Sequence, residues 1–135
     1  MRRYFVDTWY LVALADRHDS DHRRATHLDS TVSHSQLITH DAVFTEFLTY
    51  FANGGRAGRL RAVEFTRKLL TRPTCRVERA SDLFAAALDL YSRRPDKEYS
   101  LVDCMSMTLM RERGITHVLT NDHHFRQEGF TVVNE

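Results

Sequence analysis

The feature that most constrains the fold is the alternation of short runs of β-forming residues with longer helical segments. Predicted strands lie at residues 4–6, 36–39, 75–78, 116–120 and 130–133. Predicted helices lie between them, at residues 8–15, 20–28, 43–51, 59–70, 80–93 and 100–113. Strands that alternate with helices form a parallel sheet with helices on both faces. The sequence therefore predicts an α/β fold with a central, mainly parallel sheet.

The chain is expected to form a single domain over residues 1–135. Its 135 residues match the usual size of one domain, and 42% of them are hydrophobic, which is enough for one sizeable core. A formal net charge of +1 excludes a histone-like or strongly acidic protein. Cys75 and Cys104 are too few for a disulfide framework or a four-thiolate zinc site.

The amino-terminal segment gives an expectation about location. It lacks the apolar stretch of a secretory signal. The longest apolar run near it, residues 9–15, is far shorter than the roughly 20 residues that span a bilayer. A soluble cytoplasmic protein is therefore expected.

Four acidic residues are placed where ligand sites form in parallel sheets. Asp7 follows the first strand, and Asp122 follows the fourth. Glu46 lies in the first turns of the helix after the second strand, and Asp103 lies in the first turn of the helix before the fourth strand. Ligand sites in such sheets lie beyond the carboxyl ends of the strands, so these four carboxylates are candidates for one site.

Each acid also has a purely structural interpretation. Asp7 and Asp122 could cap helices, and Glu46 could be a solvated helix residue. Ser100 and Asp103 fit a capping box. However, Glu46 and Asp103 border apolar residues, where an isolated carboxylate is costly. A divalent cation removes that cost, and an all-oxygen site favours Mg²⁺ or Mn²⁺ over Zn²⁺.

Four segments form a pattern that extends over nearly the whole chain. They are Phe5-Val6-Asp7-Thr8, Glu46 on the third helix, Tyr99-Ser100-Leu101-Val102-Asp103-Cys104, and Leu119-Thr120-Asn121-Asp122-His123-His124-Phe125. Together they resemble the PIN domain, and within it the VapC-type toxins of bacterial toxin–antitoxin pairs. The combination of the last two segments is more specific than the first aspartate alone.

This resemblance implies a three-layer α/β/α fold and a metal-dependent endoribonuclease that hydrolyses RNA phosphodiester bonds. The acidic positions of the family, which are catalytic and hold Mg²⁺ or Mn²⁺, fall on Asp7, Glu46, Asp103 and Asp122. Supporting polar positions fall on Thr8, Ser100, Thr120 and Asn121. No acidic position is missing, which argues for an active enzyme.

The resemblance also implies an RNA substrate and a cognate antitoxin protein as partners. In relatives, helices in the region of residues 43–51 and 59–70 form a groove that holds the C-terminal segment of the antitoxin. The aromatic-rich helices of this chain fit such a surface. We expect a homodimer with an antitoxin chain laid over the groove beside the acids.

Other functions stay open. One is a PIN-like nuclease that processes RNA and is not a toxin, and another is a module that binds RNA or a partner without cleavage. The intact acids argue against the module. An aspartyl phosphotransferase or receiver domain is disfavoured because it needs paired acids after the first strand and a lysine near the last strands. Here the only lysines are Lys68 and Lys97.

Local motifs lead to further predictions. His123 and His124 follow Asp122 and could ligate a transition metal, but a hard-cation site prefers oxygen ligands, so we predict that they are surface residues of a loop. Replacing His124 by alanine is therefore expected to change little. Residues 53–58 are glycine-rich but lack the ending of a P-loop, and they are predicted to form a flexible loop.

Two predictions concern the helices that flank this loop. Asp41 is predicted to cap the helix at residues 43–51, because aspartate is a preferred N-cap residue. The helix at residues 59–70 is predicted to turn four aliphatic residues inward, namely Leu60, Val63, Leu69 and Leu70.

Overall fold

The computed structural model describes residues 1–135 and contains one sheet of five parallel strands. The strands are β1 (Arg3–Val6), β2 (Gln36–His40), β3 (Cys75–Glu78), β4 (His117–Leu119) and β5 (Thr131–Val133). The helices are α1 (Thr8–Ala15), α2 (His22–Thr31), α3 (Asp41–Tyr50), α4 (Gly55–Thr71), α5 (Phe84–Arg93), α6 (Leu101–Arg113) and α7 (His124–Gln127). Short 3-10 helices lie at Phe51–Asn53 and Ala80–Asp82.

The strand order β3-β2-β1-β4-β5 divides the sheet into two halves. From β1 the chain moves to β2 and β3 in one direction, and it then returns to β4 and β5 in the other. Because crossovers between parallel strands are right-handed, α1 to α4 cover one face and α5 to α7 cover the other. Accordingly, α1 packs against α2 and α3, and α5 packs against α6. The three-layer α/β/α architecture is confirmed.

The centre of the sheet and helix α6 form the core. Tyr4, Phe5 and Val6 of β1 are buried, as expected for a central strand covered on both faces. All residues of α6 from Cys104 to Met110 are buried, so this helix is enclosed on nearly every side. The predicted core position of Cys104 is confirmed. The helices are all too short or too polar to traverse a lipid bilayer.

Helix α6 ends at the predicted residue and begins one residue later than predicted, with Ser100 as its N-cap. The Ser100 hydroxyl accepts a hydrogen bond from Asp103 N, and Asp103 Oδ2 accepts one from Ser100 N, both at 3.0 Å. Gly114 ends the helix with a φ of +64°, a left-handed conformation that glycine adopts without strain. The capping box of Ser100 and Asp103 is therefore real, and it fixes the start of α6.

Replacing Ser100 by alanine is expected to lower the free energy of unfolding by about 1 kcal/mol, because a backbone N–H of α6 loses its acceptor. Ser100→Gly should cost only a few tenths of a kcal/mol. Urea unfolding of both variants in chelator measures the difference. Ser100→Ala that is as stable as the unmodified chain would show that the capping box contributes nothing.

Helix α4 differs from the prediction in its start and in its buried face. It begins at Gly55, so most of the segment at residues 53–58 is helical and is not a flexible loop. Leu60 and Leu70, predicted to point inward, are 54% and 53% exposed. Residues spaced four apart face the core instead, namely Gly58, Ala62 and Thr66. Small side chains allow α4 to approach the core closely, and a search for aliphatic periodicity does not detect such a face.

Asp41 does not cap α3. The N-cap residue is His40, and Asp41 is the first residue of the helix. Asp41 Oδ1 accepts a hydrogen bond from Ala80 N at 2.9 Å, which ties α3 to the 3-10 helix after β3. That 3-10 helix occupies the start of the segment predicted as one helix at residues 80–93, and α5 begins only at Phe84.

Candidate active site

Asp7 and Asp122 follow the carboxyl ends of β1 and β4, the neighbouring strands at which the strand order reverses. Thr120 connects them: its hydroxyl donates to Asp7 Oδ2 at 2.6 Å and accepts from Asp122 N at 3.1 Å. The Asp7 side chain does not cap α1 and is only 8% exposed. Since the crevice beyond such a reversal is the usual ligand site of parallel sheets, Asp7 lies at the base of that crevice.

Glu46 reaches the same edge of the sheet from α3. The hydroxyl of Thr8, the first residue of α1, donates to Glu46 Oε1 at 2.5 Å. Burial raises the pKa of Glu46, and the negative charge of Asp103 raises it further. The first turn of α1 thus fixes a carboxylate that is electrostatically coupled to Asp103.

Asp103 enters the site from the first turn of α6, where the capping box holds its carboxylate. Burial raises the pKa of Asp103, the Ser100 backbone hydrogen bond lowers it, and the charge of Asp122 raises it again. Asp103 also raises the pKa of both Asp7 and Glu46. The capping interpretation and the site interpretation therefore hold at the same residue, and the structure brings all four predicted acids together.

Asp7 carries the strongest electrostatic perturbation of the four acids. Burial raises its pKa from 3.8 to about 7, although the hydrogen bond from Thr120 opposes the rise. The charges of Asp103 and Glu46 add to it. No lysine or arginine lies within salt-bridge distance of these four acids, and the basic side chains closest to them are the histidines that follow Asp122. The cluster consequently lacks positive charge.

His124 joins this cluster, which the sequence did not predict. Its Nδ1 lies 3.2 Å from Asp122 Oδ1 and 3.6 Å from Asp103 Oδ2. The side chain is 17% exposed, and Nδ1 is buried without a hydrogen-bond partner. The prediction that His124 is a surface residue is therefore wrong, whereas His123 is 71% exposed and fits it. The chain turns directly into α7 after Asp122, and this turn directs the His124 ring inward.

The donor set fits a divalent cation. Asp103, Asp122 and His124 each offer a ligand atom, and these atoms lie within 4.8 Å of one another. The unbonded His124 Nδ1 faces carboxylates, and the neighbouring Asp7 is a buried acid that a cation would keep ionised. Carboxylate oxygens suit Mg²⁺ and Mn²⁺, and an imidazole nitrogen favours Mn²⁺ of the two.

The supporting residues divide into two groups. Thr8, Ser100 and Thr120 each bond directly to one of the acids. Asn121 does not: it is exposed, and its Oδ1 accepts a hydrogen bond from Asn134 Nδ2 at 3.3 Å. The structure therefore shows no hydrogen bond between the Asn121 side chain and the acids that it was predicted to support.

Replacing His124 by alanine is expected to weaken Mn²⁺ binding by about ten- to a hundredfold, because the ring borders two carboxylates of the cluster. Titration calorimetry with Mn²⁺ measures the change. His123→Ala is the matched control, since it removes the neighbouring exposed ring. If the His124 and His123 variants both bind Mn²⁺ like the unmodified chain, His124 has no part in the cation site.

Comparisons with known proteins agree with this geometry. The PIN domain family matches residues 4–130. The chain is 32% identical to the 23S rRNA-specific endonuclease VapC20 of Mycobacterium tuberculosis. The alignment extends over 130 residues and covers 96% of each chain.

Solved structures show the same relationship. The crystal structure of Mycobacterium tuberculosis VapC20, a sarcin–ricin loop cleaving toxin, has a TM-score of 0.86 at 29% identity and covers 98% of this chain and 99% of that chain. FitAcB from Neisseria gonorrhoeae shares the fold, with a TM-score of 0.63 at 15% identity over 97% of this chain and 96% of that chain. The family resemblance inferred from the sequence motifs is confirmed: this chain belongs to the PIN domain family.

Proposed function

We propose that this protein is a metal-dependent endoribonuclease and the toxin of a toxin–antitoxin pair. The observation that carries the proposal is the convergence of four carboxylates from β1, α3, α6 and the β4–α7 turn at one crevice. The acids lack lysine or arginine partners, and a nuclease site needs a cation to accept a phosphodiester there. The relatedness to VapC20 supports the same reaction.

We assign the cation to Asp7, Asp103 and Asp122, with Glu46 at the rim of the site, His124 beside the Asp103 and Asp122 ligands, and Mg²⁺ or Mn²⁺ as the ion. When bound, a divalent cation supplies activation of the attacking water and stabilisation of charge on the phosphate. The protein residues keep the ligands in place: Thr120 orients Asp7, and Ser100 orients Asp103. Preorganised ligands of this kind lower the cost of reaching the charged transition state.

We propose ribosomal RNA as the first substrate to test. VapC20 is described as a 23S rRNA-specific endonuclease and a sarcin–ricin loop cleaving toxin. This chain aligns with it over nearly the full length of both proteins. An enzyme with this substrate would act in the cytoplasm, where ribosomes are found.

We further propose an antitoxin and a second copy of the chain as protein partners. Tyr50 at the end of α3 and Leu60 and Leu70 on α4 are each more than half exposed, which leaves apolar surface on the helices where the groove is expected. Light scattering of the purified chain tests the dimer. A monomer at all concentrations would remove the dimer and leave the nuclease assignment intact.

Incubation of the purified protein with 23S rRNA in Mg²⁺, Mn²⁺ or chelator tests the proposed reaction. We expect internal cuts with either cation and none in chelator. RNA that is bound but never cut with any divalent cation would contradict the nuclease and favour the binding module. If the protein cleaves RNA but no neighbouring gene encodes an antitoxin, the result would favour an RNA-processing nuclease over a toxin.

A further inference from the structure

A cleft of about 340 Å³ lies between the end of α5 and the start of α6. Its walls include two aromatic residues, Tyr91 and Tyr99, and two basic residues, Arg94 and Lys97. No carboxylate belongs to these walls. By contrast, the larger cleft between α1 and α4 is lined by both acidic and basic residues. The α5–α6 cleft therefore offers cations and aromatic rings together.

The cleft adjoins the acid cluster through one layer of side chains. Tyr99 precedes Ser100, the N-cap of α6, and its ring lies 5.3 Å from the His124 ring in an edge-on arrangement. The Nδ1 atom of His124 in turn lies 3.2 Å from the Asp122 carboxylate. A strand of nucleic acid that crosses the acid cluster would meet this cleft next.

Behind the cleft, a buried acid accepts hydrogen bonds from two of the wall residues, Arg94 and Tyr99. Glu128, whose side chain is 5% exposed, accepts hydrogen bonds from Arg94 Nε at 3.0 Å, Arg111 at 2.8 Å and the Tyr99 hydroxyl at 2.9 Å. Burial opposes ionisation of Glu128, but these hydrogen bonds prevail and lower its pKa to about 2. One buried carboxylate thus anchors two arginines, which leaves a net positive charge in this group and holds Arg94 and Tyr99 in place.

The outer wall is free to meet a ligand. Tyr91 is 51% exposed, and no hydrogen bond holds its hydroxyl in the structure. Lys97 is one of only two lysines in the chain, and its nearest acid, Asp96, is 3.8 Å away and mostly exposed. Exposed aromatic rings stack on unpaired bases, and cations next to them neutralise the backbone phosphates.

We propose that this cleft binds the RNA strand that flanks the cleaved bond, with a backbone phosphate at Lys97 and Arg94 and a base stacked on Tyr91. The inference rests on the proposed function, because it takes RNA as the substrate. It gives the site the positive charge that the acid cluster lacks. It also places RNA binding on the α5–α6 side of the sheet, away from the basic residues Arg56, Arg59 and Arg61 at the start of α4.

Binding of a fluorescein-labelled single-stranded RNA, followed by anisotropy over a series of KCl concentrations, tests the cleft. All proteins carry Asp7→Asn and are kept in chelator, so that no RNA is cut. Lys97→Gln is expected to weaken binding and to reduce the slope of log affinity against log salt by about 0.7, the value for one lost contact to a single strand. Lys68→Gln removes the other lysine, on α4, and should leave the slope unchanged.

A second pair of variants tests the aromatic part of the cleft. Tyr91→Leu is expected to weaken RNA binding by about tenfold, since stacking of one base is lost. Phe84→Leu is the control, because Phe84 is 48% exposed at the start of the same helix and lies outside the cleft. The inference would be overturned if the Tyr91→Leu protein bound RNA normally but had a different mass in light scattering. That result would assign this face of α5 to a protein partner.

The outcomes separate the cleft from the proposed function. The inference about the cleft would be overturned if Lys68→Gln reduced the slope of log affinity against log salt and Lys97→Gln did not. It would also be overturned if the Asp7→Asn protein failed to bind labelled RNA at low salt. Unmodified protein that cuts RNA would leave the nuclease standing in either case. In the active chain, Lys97→Gln should raise KM and leave kcat unchanged, because it removes binding that is equal in the ground state and the transition state.

Discussion

Replacing Asp7 by asparagine reduces RNA cleavage in Mg²⁺ by a factor of about a hundred or more, the expected effect of removing a group that stabilises charge in the transition state. Asp7 is the deepest of the four acids, and asparagine keeps its shape and its acceptor for the Thr120 hydroxyl. The change therefore removes the charge and leaves the local packing. Initial cleavage rates on one defined RNA measure the effect.

Asp82→Asn is the control for this substitution. Asp82 is an exposed aspartate of the 3-10 helix before α5, and it carries the same charge outside the site. We expect Asp82→Asn to cleave RNA at the rate of the unmodified chain. Equal rates for the Asp7 and Asp82 variants would show that the reaction does not depend on the carboxylate at the end of β1.

Burial of Asp7 makes the metal-free protein less stable as the pH rises. The Asp7 pKa is about 7 in the folded chain, compared with an ordinary value of 3.8. Between these two values the unfolded chain releases a proton that the folded chain keeps, so the free energy of unfolding falls as the pH increases. A difference of about three pKa units corresponds to roughly 4 kcal/mol of the free energy of unfolding. This contribution is fully lost above about pH 7.

Asp7→Asn removes this pH dependence. Urea unfolding in chelator should therefore show the variant gaining stability relative to the unmodified chain from about pH 4 to pH 7, with a constant advantage above that range. The pKa of Glu128 is lowered to about 2, so its contribution to stability changes at more acidic pH. That contribution has the opposite sign, because it is lost as the pH falls. A stability difference that does not change between pH 4 and pH 7 would contradict the buried, perturbed state of Asp7.

Addition of Mg²⁺ at pH 8 gives the complementary result. A cation that binds the folded chain and not the unfolded chain raises the free energy of unfolding. The gain should be clear for the unmodified chain and much smaller for Asp7→Asn.

The acids were predictable from the sequence because their places follow from topology. Asp7 directly follows a run of β-forming residues, and Asp122 follows another, so the parallel sheet itself brings them to one edge. Asp103 was predictable as a cap and as a site residue because both interpretations require the first turn of α6. Glu46 was predictable for a related reason, since the helix after the second strand begins at the same edge of the sheet, and the motifs of the PIN domain include it as well.

His124 and the α5–α6 cleft were not predictable from local patterns. The direction of the His124 ring depends on a single turn of helix after Asp122 and on packing against Tyr99. The arrangement of the cleft walls depends on hydrogen bonds to Glu128, which is distant in sequence from Arg94 and Tyr99. Side chains that meet only through tertiary packing leave no periodic signal in the chain.

The chemistry of the cut ends tests the central claim most directly. The ring centroids of His123 and His124, which the sequence predicted to be surface residues of a loop, lie 4.7 Å apart beside the acids. Such a pair raises the alternative of attack by the ribose 2′-hydroxyl through acid–base chemistry. Hydrolysis by water instead leaves a 5′-phosphate and a 3′-hydroxyl, whereas attack by the 2′-hydroxyl leaves a cyclic phosphate.

The decisive measurement is mass spectrometry of the fragments of one defined RNA, cut in Mg²⁺ and, in parallel, incubated in chelator. We predict 5′-phosphate and 3′-hydroxyl ends in Mg²⁺ and intact RNA in chelator. Cyclic-phosphate ends formed in chelator would contradict the account and transfer the reaction from the four carboxylates to His123 and His124.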